Sequence, residues 1–416
     1  MNETDILMGF DFSQPQEQAA IIKVLGVGGG GGNAVTHMYS EGDIHDVTFA
    51  LCNTDTQAML KSPVPVKVQL GTTGLGAGNN PEVAREAAKN SEDHIKNLLS
   101  DGTQMVFITA GMGGGTGTGA APVIARIAKE MDILTIGIVT IPFLFEGEPK
   151  IIQALEGVEK LRQNVDAILV INNEKLIDIY GDMDLDEGFA KADATLAVAA
   201  RSISELITNP HRINIDFADV RATLKDGGVA VMNAGFSSGE NRLIRACNNA
   251  LNSPLLNNTN VFRAQKILFN ITYTSRSKVK LSEMEQLKKF MGQFYKGINV
   301  IWGQGTDDNL TEEVKITVLA AGFGRESIPT IDILTDEERR KERYYIDLIK
   351  QYYDEEALTK LGATLKPDPF IFKELSELDN QNIIDIIWEE PPYHRLLKIR
   401  QDIISQAKEK QINLAE

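Results

Sequence analysis

From residue 21 onward, apolar positions fall into short β-branched runs separated by longer amphipathic segments. The runs cover residues 21–27, 47–51, 64–70, 105–109, 133–141 and 167–171. They are continuous rather than alternating, which marks strands covered on both faces. Helical patterns alternate with them, so the reading is α/β, with a doubly wound, mostly parallel sheet forming a nucleotide domain. A long central helix is predicted over 184–208. Its apolar residues Leu185, Phe189, Ala192, Leu196, Ala199, Ile203 and Leu206 step by 4, 3, 4, 3, 4 and 3. That stripe is a core face and should seat the helix between two domains. Further runs at 229–234, 267–273, 298–302 and 314–320, with helices near 240–251 and 281–295, predict a second, smaller α+β domain.

The expected organisation is a flexible segment over 1–20, a nucleotide domain over 21–183 and the central helix with its exit over 184–211. The α+β domain follows over 212–324, then a charged linker over 325–379 and a tail over 380–416. In the linker, Glu337-Glu338-Arg339-Arg340-Lys341-Glu342-Arg343 is a mixed charge run that solvates, residues 344–361 have helical character, and Lys366-Pro367-Asp368-Pro369 punctuates.

Two strand–helix junctions carry the chemistry. Residues 105–109 lead into Gly111-Met112-Gly113-Gly114-Gly115-Thr116-Gly117-Thr118-Gly119, and a helical pattern follows over 120–131. Residues 21–27 lead into Gly28-Gly29-Gly30-Gly31-Gly32-Asn33, with a helix expected from about Ala34. Glycines let backbone N–H groups approach phosphate oxygens, and a helix N-terminus adds positive potential. The hydroxyls of Thr116 and Thr118 supply further donors. No Gly-Lys-Ser/Thr ending follows either loop, which excludes a Walker A loop. Alone, the first junction also fits a dinucleotide fingerprint, with Gly26, Gly28 and Gly31 spaced correctly and Asp55 where a ribose ligand would stand. Two phosphate loops on one sheet suit a triphosphate better than a pyrophosphate.

Composition narrows the field. A net charge of −16 argues against a nucleic-acid groove. No apolar run reaches membrane-spanning length, so direct membrane insertion is not expected. Residues 1–20 lack the basic and apolar regions of a leader. Cys52 and Cys247 fall in a predicted strand and helix and read as reduced thiols of a cytoplasmic protein. His37, His45, His94, His211 and His394 form no metal-ligand pattern, so no protein-built metal site is expected.

The loop Gly113-Gly114-Gly115-Thr116-Gly117-Thr118-Gly119 resembles the signature of the tubulin/FtsZ family. The first strand with its glycine run, Asn53-Thr54-Asp55, and Gly74-Leu75-Gly76-Ala77-Gly78-Asn79-Asn80-Pro81 are similar to the same family. The likeness runs from about Ile21 to Gly324. It implies a GTPase that self-assembles head-to-tail and scaffolds the bacterial division ring at mid-cell. GTP is the substrate, GDP the product, and Mg²⁺ the expected cofactor.

The resemblance places the phosphates on Gly29, Gly30, Gly31, Gly32 and Asn33 and on Gly115, Thr116 and Gly117. Phe145-Glu146-Gly147 brings Glu146 to the ribose. Lys150 stands where the family usually has an arginine, keeping the charge but losing the bidentate fork. Base recognition falls to Asn173, Phe189 and Asp193. Phe189 and Asp193 are four apart and share a helix face. From the pattern alone Phe189 is a core residue; the resemblance makes it a platform for the purine. The carboxylate of Asp193 can accept from guanine N1–H and N2–H, an adjacent donor pair that adenine lacks.

The catalytic set implied is Asn214, Asp216 and Asp219, which completes the site of the next subunit. Helix capping accounts for Asp216 alone, not for the full set. In the tail, Ile383, Ile384, Ile386, Ile387 and Trp388 have the character of a peptide that docks membrane-tethering and regulatory division proteins. The competing classes are an NAD-dependent oxidoreductase, for which no candidate histidine stands out, and a nucleotide-binding polymer without turnover.

Overall fold

The structure is a computed structural model that describes residues 20–42, 46–180, 184–208, 215–251, 262, 264–294, 297–308, 310–323, 337–353, 357, 358 and 361. Two compact units make up the chain: residues 1–333 with Gln351–Tyr353, and residues 334–350 with 354–416.

The larger unit is built on a 10-stranded sheet ordered β3-β2-β1-β4-β5-β6-β7-β10-β8-β9. Its parallel part comprises β1 (Ile22–Val27), β2 (Val47–Asn53), β3 (Val66–Gln69), β4 (Met105–Gly111), β5 (Leu134–Ile141) and β6 (Ala167–Asn172). Every residue of β1, β5 and β6 is buried, as continuous apolar runs require. The chain starts at β1, winds outward through β2 and β3, then returns to β4 on the other side of β1. β1 and β4 therefore flank the topological switch point, where a crevice opens at the carboxyl ends of the strands.

Two helices spring from that point: α1 (Gly28–Glu41) after β1 and α5 (Thr116–Glu130) after β4. Both start earlier than the expected 34 and 120. Glycines show no apolar face, so the first turns of these helices leave no periodic trace in the sequence. Between them lie α2 (Thr56–Leu60), α3 (Pro81–Lys89) and α4 (Glu92–Leu99). α6 (Glu148–Arg162) and α7 (Glu174–Tyr180) follow β5 and β6.

The long helix α8 (Leu185–Thr208) matches its predicted stripe where side chains are described. Ala192, Leu196, Ile203 and Leu206 are buried and Ala199 is half-buried. Leu196, Ile203 and Leu206 join one apolar cluster with Ile22 and Ile136 of the parallel strands and with Leu268 and Leu319 from later in the chain. After α8 come α9 (Phe217–Leu224), β7 (Gly228–Ser237), α10 (Arg242–Leu251), β8 (Lys266–Tyr273), α11 (Met284–Met291), β9 (Asn299–Thr306) and β10 (Val314–Ala321). β7 joins β6 in parallel through just Ala167↔Gly228 and Ile168↔Val229, while β10 runs antiparallel to β7 and β8. A second apolar cluster, with Leu243, Phe269, Phe290 and Val318, lies under α10 and α11. Cys52 and Cys247 are buried free thiols.

The charged run 337–343, read from sequence as solvated linker, is instead the first half of α12 (Glu337–Tyr352). Its charges alternate at helical spacing, with Glu337 and Glu338 three residues before Arg340 and Lys341, a pattern that favours helix. Residues 1–19 and 362–416, including the whole tail over 380–416, lie outside the described residues.

Candidate nucleotide site

β1 and β4 pair in register through Val27↔Ala110, so their glycine junctions emerge side by side. Gly28 takes φ +73°, and a Cβ built there would stand 2.9 Å from Gly117 N. The two helix N-termini thus meet, and their unbonded N–H groups converge on one crevice. Gly113 takes φ +98° to turn the second loop, which is held by Gly113 N donating to Thr118 Oγ1 at 2.9 Å and Gln153 Nε2 donating to Gly113 O at 2.8 Å.

The glycines of the two loops do different jobs. Around Gly29, Gly32 and Gly114 nothing lies within 4 Å of an added Cβ, so these present backbone to open space. Gly31 is buried, and a Cβ there would fall 2.1 Å from Thr109 O. Gly117 faces Gly111 O at 2.4 Å, and Gly115 packs under Ala77 and Asn80 at 3.0 Å. At Gly31, Gly115 and Gly117 a side chain therefore has no room, and the loop backbone lies close against its neighbours. Gly30 lies between, with Gly111 Cα at 3.4 Å. Gly114, which the sequence reading passed over, is the open one in the second loop. Its signal was its place between two glycines that pack.

The two loop threonines differ in their partners. Thr118 is buried and accepts the loop's own Gly113 N–H. Thr116 is half-buried and meets the hydroxyl of Thr54 at 2.7 Å. Thr54 follows β2, beside Asn53. A cavity of about 310 Å³ opens next to the first loop, lined by Gly29, Gly32, Asn33, Asn53 and Lys61 among others. The loops carry no carboxylate, and among the described residues no group of three or more His, Cys, Asp or Glu is placed to hold a metal ion. Magnesium favours phosphate oxygens with a few neutral or acidic ligands. The hydroxyls of Thr54 and Thr116 fit an ion carried in by the phosphates.

Glu146 sits in a 3-10 turn before α6, its Oε1 accepting from Phe143 N at 2.9 Å and its Oε2 from Lys150 Nζ at 2.5 Å. Lys150 is thus paired with Glu146. Asn173 follows β6; it is buried, and its Oδ1 has no hydrogen-bond partner among the described residues. Such an atom calls for a donor. Asp193 lies on α8, and burial pushes its carboxyl up to about 7. Phe189 belongs to α8, but its side chain is outside the described residues, as is Asn214.

Asp216 and Asp219 are not at the crevice. Asp216 caps α9, accepting from Asp219 N at 2.8 Å, while Asp219 Oδ2 accepts from Asp216 N at 3.2 Å. This is a reciprocal capping box, so capping engages both aspartates and not Asp216 alone. It uses one oxygen of each carboxylate. On the same short helix, Arg221 Nη2 donates to Asp132 Oδ1 at 2.8 Å. Asp132 precedes β5, at the amino end of the parallel strands. Helix α5 separates the two ends: it starts at Thr116 in the crevice, stops two residues before Asp132, and its 15 residues span about 22 Å. Asp55, the ribose ligand of the dinucleotide alternative, is taken up as the cap of α2, accepting from Gln57 N and Ala58 N.

The family model described as tubulin/FtsZ family, GTPase domain, matches residues 21–181, and that described as FtsZ family, C-terminal domain, matches residues 228–324. A cell division protein FtsZ of Porphyromonas gingivalis is 50% identical over 410 residues, covering 94% of this chain and 88% of that relative. The chain belongs to the FtsZ family. A second FtsZ, from Pseudomonas aeruginosa, is 46% identical over 312 residues, 74% of this chain and 78% of the relative. Among solved structures, an empty FtsZ dimer from M. jannaschii superposes with a TM-score of 0.68 at 37% identity, covering 77% of this chain and 96% of that chain. As an FtsZ-family GTPase the protein binds GTP and GDP, and the dinucleotide reading is set aside. Both glycine junctions fall within the GTPase-domain match, whereas Asp216 and Asp219 lie between the two matched segments.

Proposed function

We infer that this protein is a cell-division GTPase that assembles head-to-tail and hydrolyses GTP only where two subunits meet. One observation carries the reading: the glycine crevice opens at the start of α5, while the helix that Asp216 and Asp219 begin reaches through Arg221 to Asp132 just beyond the other end of α5, a helix of about 22 Å. A single subunit cannot bring them together. Stacking subunits in one direction places the aspartates of one over the crevice of the next. Such a heterologous contact propagates into a filament unless rotation closes a ring.

In this reading the open N–H groups of Gly29, Gly32 and Gly114 hold phosphate oxygens, and Thr116 with Thr54 orients them. Glu146 faces the ribose, its charge offset by Lys150. Asn173 and Asp193 select guanine, with Phe189 as the ring beneath the purine. From the neighbouring subunit, the free oxygens of Asp216 and Asp219 orient the attacking water, with Asn214 beside them. Phosphoryl transfer needs positioning and charge stabilisation more than covalent chemistry. Magnesium, when bound through the phosphates, supplies neutralisation of their developing charge. The tail over 380–416 takes the part of a docking peptide for membrane-tethering and regulatory division proteins, which places the filament in the cytoplasm at the mid-cell ring.

The test is phosphate release from GTP measured against protein concentration, with light scattering in parallel. Activity per subunit should rise with concentration and track assembly. Specific activity that stays constant down to very dilute protein sinks the shared site. A mixture of Thr116→Arg, defective in its own crevice, with Asp219→Asn, defective toward its neighbour, should regain activity that neither has alone.

A further inference from the structure

Beyond the two matched domains, the end of α12 returns to the larger unit. Gln351–Tyr353 belong to that unit, and Tyr352 and Tyr353 are 3% and 2% exposed. The hydroxyl of Tyr353 donates to Pro142 O at 2.6 Å. Pro142 opens the turn that carries Glu146. Asn172 Nδ2 donates to the carbonyl of Tyr352 at 2.8 Å. Asn172 adjoins Asn173.

These two bonds close a ring. Leu144 N, in the turn after Pro142, donates to Glu174 Oε2 at 3.0 Å, and Glu174 N donates to Asn172 Oδ1 at 2.9 Å. Asn173 N further donates to Ile141 O at 3.3 Å. The ribose turn, the base-recognising corner and the two tyrosines are thereby joined by consecutive hydrogen bonds. Asn172, Pro142, Tyr352 and Tyr353 are buried, while Leu144 and Glu174 are half-buried. The two tyrosine bonds are buried and are not traded for bonds to water, so they fix geometry more firmly than the part-buried links through Glu174. Without the tyrosines, the side-chain amide of Asn172 and the carbonyl of Pro142 would lose these partners, and the two loops would be held by Glu174 and by the Asn173 N–H on Ile141 O.

We propose that Tyr352 and Tyr353 are positioning residues for the nucleoside half of the substrate: they set the ribose turn and the Asn173 corner at the spacing that guanosine requires. The inference rests on the base and ribose assignments proposed above. It predicts a split within one ligand. The phosphate loops stand on β1 and β4, and the two tyrosine bonds end on Pro142 and Asn172 rather than in a loop; the second loop meets the turn where Gly113 packs on the Pro142 ring, so the hold on phosphates depends on the strap less than the hold on the nucleoside does.

The test uses the full chain with Tyr353→Phe, which deletes one hydroxyl, and Asn172→Asp, which keeps the acceptor for Glu174 N and removes the donor to Tyr352. Binding of GDP and of inorganic pyrophosphate is measured by calorimetry, with Asp193→Ala as reference. Each strap variant should weaken GDP about three- to tenfold, the range for losing one buried hydrogen bond, and leave pyrophosphate within twofold. The double variant should lose less than the product of the single losses, because both bonds belong to one ring. GTP turnover should show a raised KM with kcat nearly unchanged. Unchanged GDP affinity in both strap variants, with Asp193→Ala weakened, overturns the role of the strap alone. Unchanged affinity in all three overturns the base assignment and the strap with it. Equal weakening of GDP and pyrophosphate shows a merely structural contact and also overturns the proposal.

Discussion

Asp193 is a carboxylic acid held in a place that disfavours its charge. Burial pushes it up to about 7 from an ordinary 3.8. The folded, empty protein therefore binds this proton more tightly than the unfolded chain does. Its contribution to stability is full below the ordinary carboxylate range and is lost as pH rises through about 7. Guanine reverses the preference, because N1–H and N2–H stabilise the ionised form. GDP affinity should hold above neutrality and fall as pH drops below about 7, approaching tenfold per pH unit. Asp193→Asn should abolish that slope and bring GTP and ATP closer in a competition assay. A slope unchanged in the variant removes Asp193 from base recognition. Asp219 poses a different problem, since it both caps and, by proposal, serves a neighbour. Asp219→Asn keeps an acceptor for Asp216 N, so thermal stability should move by less than about 0.5 kcal/mol, while turnover should fall by two orders of magnitude or more. Asp219→Ala should lose both. Turnover that survives in the asparagine variant leaves the aspartate with the cap and nothing more.

Helix α1 shows how an element can be set by residues without side chains. Its first five residues are glycines, poor helix formers in isolation. The helix forms because Gly31 lets it lie against the end of β4, with Thr109 O where a Cβ would be. Gly31→Ala should push α1 off the strand, costing about 3 kcal/mol or more, as steric strain in a packed core does. Gly32→Ala meets open space and should raise stability by up to ~1 kcal/mol from helix propensity, while crowding the backbone that faces the ligand. Denaturant melts of the two empty proteins, paired with GDP titrations, separate these effects. Equal stability losses in both would show that both glycines pack.

At the scale of the molecule, the core that joins the two matched domains runs through α8. Leu196, Ile203 and Leu206 sit in one cluster with strands from both ends of the sheet. A chain ended after Pro369 retains Tyr352 and Tyr353, and it should keep GTP hydrolysis and assembly while losing capture of a membrane-tethering partner. A chain ended after Arg325 also loses the strap, and its GDP affinity should fall where that of the longer truncation does not. Loss of folding or polymerisation on ending at Pro369 would assign the tail a structural role instead.

Much of this was written in the chain itself. Continuous apolar runs marked the strands within a few residues, the 4-3 stripe marked α8, and the glycine runs marked the two strand–helix junctions that meet at the switch point, because these signals are local. Tertiary structure decided the rest. Whether a glycine leaves open space or admits a neighbour depends on what faces it, so Gly114 and Gly31 look alike in sequence and differ in space. Asp216 and Asp219 carried their capping pattern openly, but their separation from the crevice follows from the direction of α5 and from Arg221 reaching Asp132, 89 residues away. The strap was invisible for the same reason: a tyrosine hydroxyl bonded to a carbonyl 211 residues earlier leaves no pattern along the chain. Periodicity reports which face of an element is buried, and only the folded backbone reports against what.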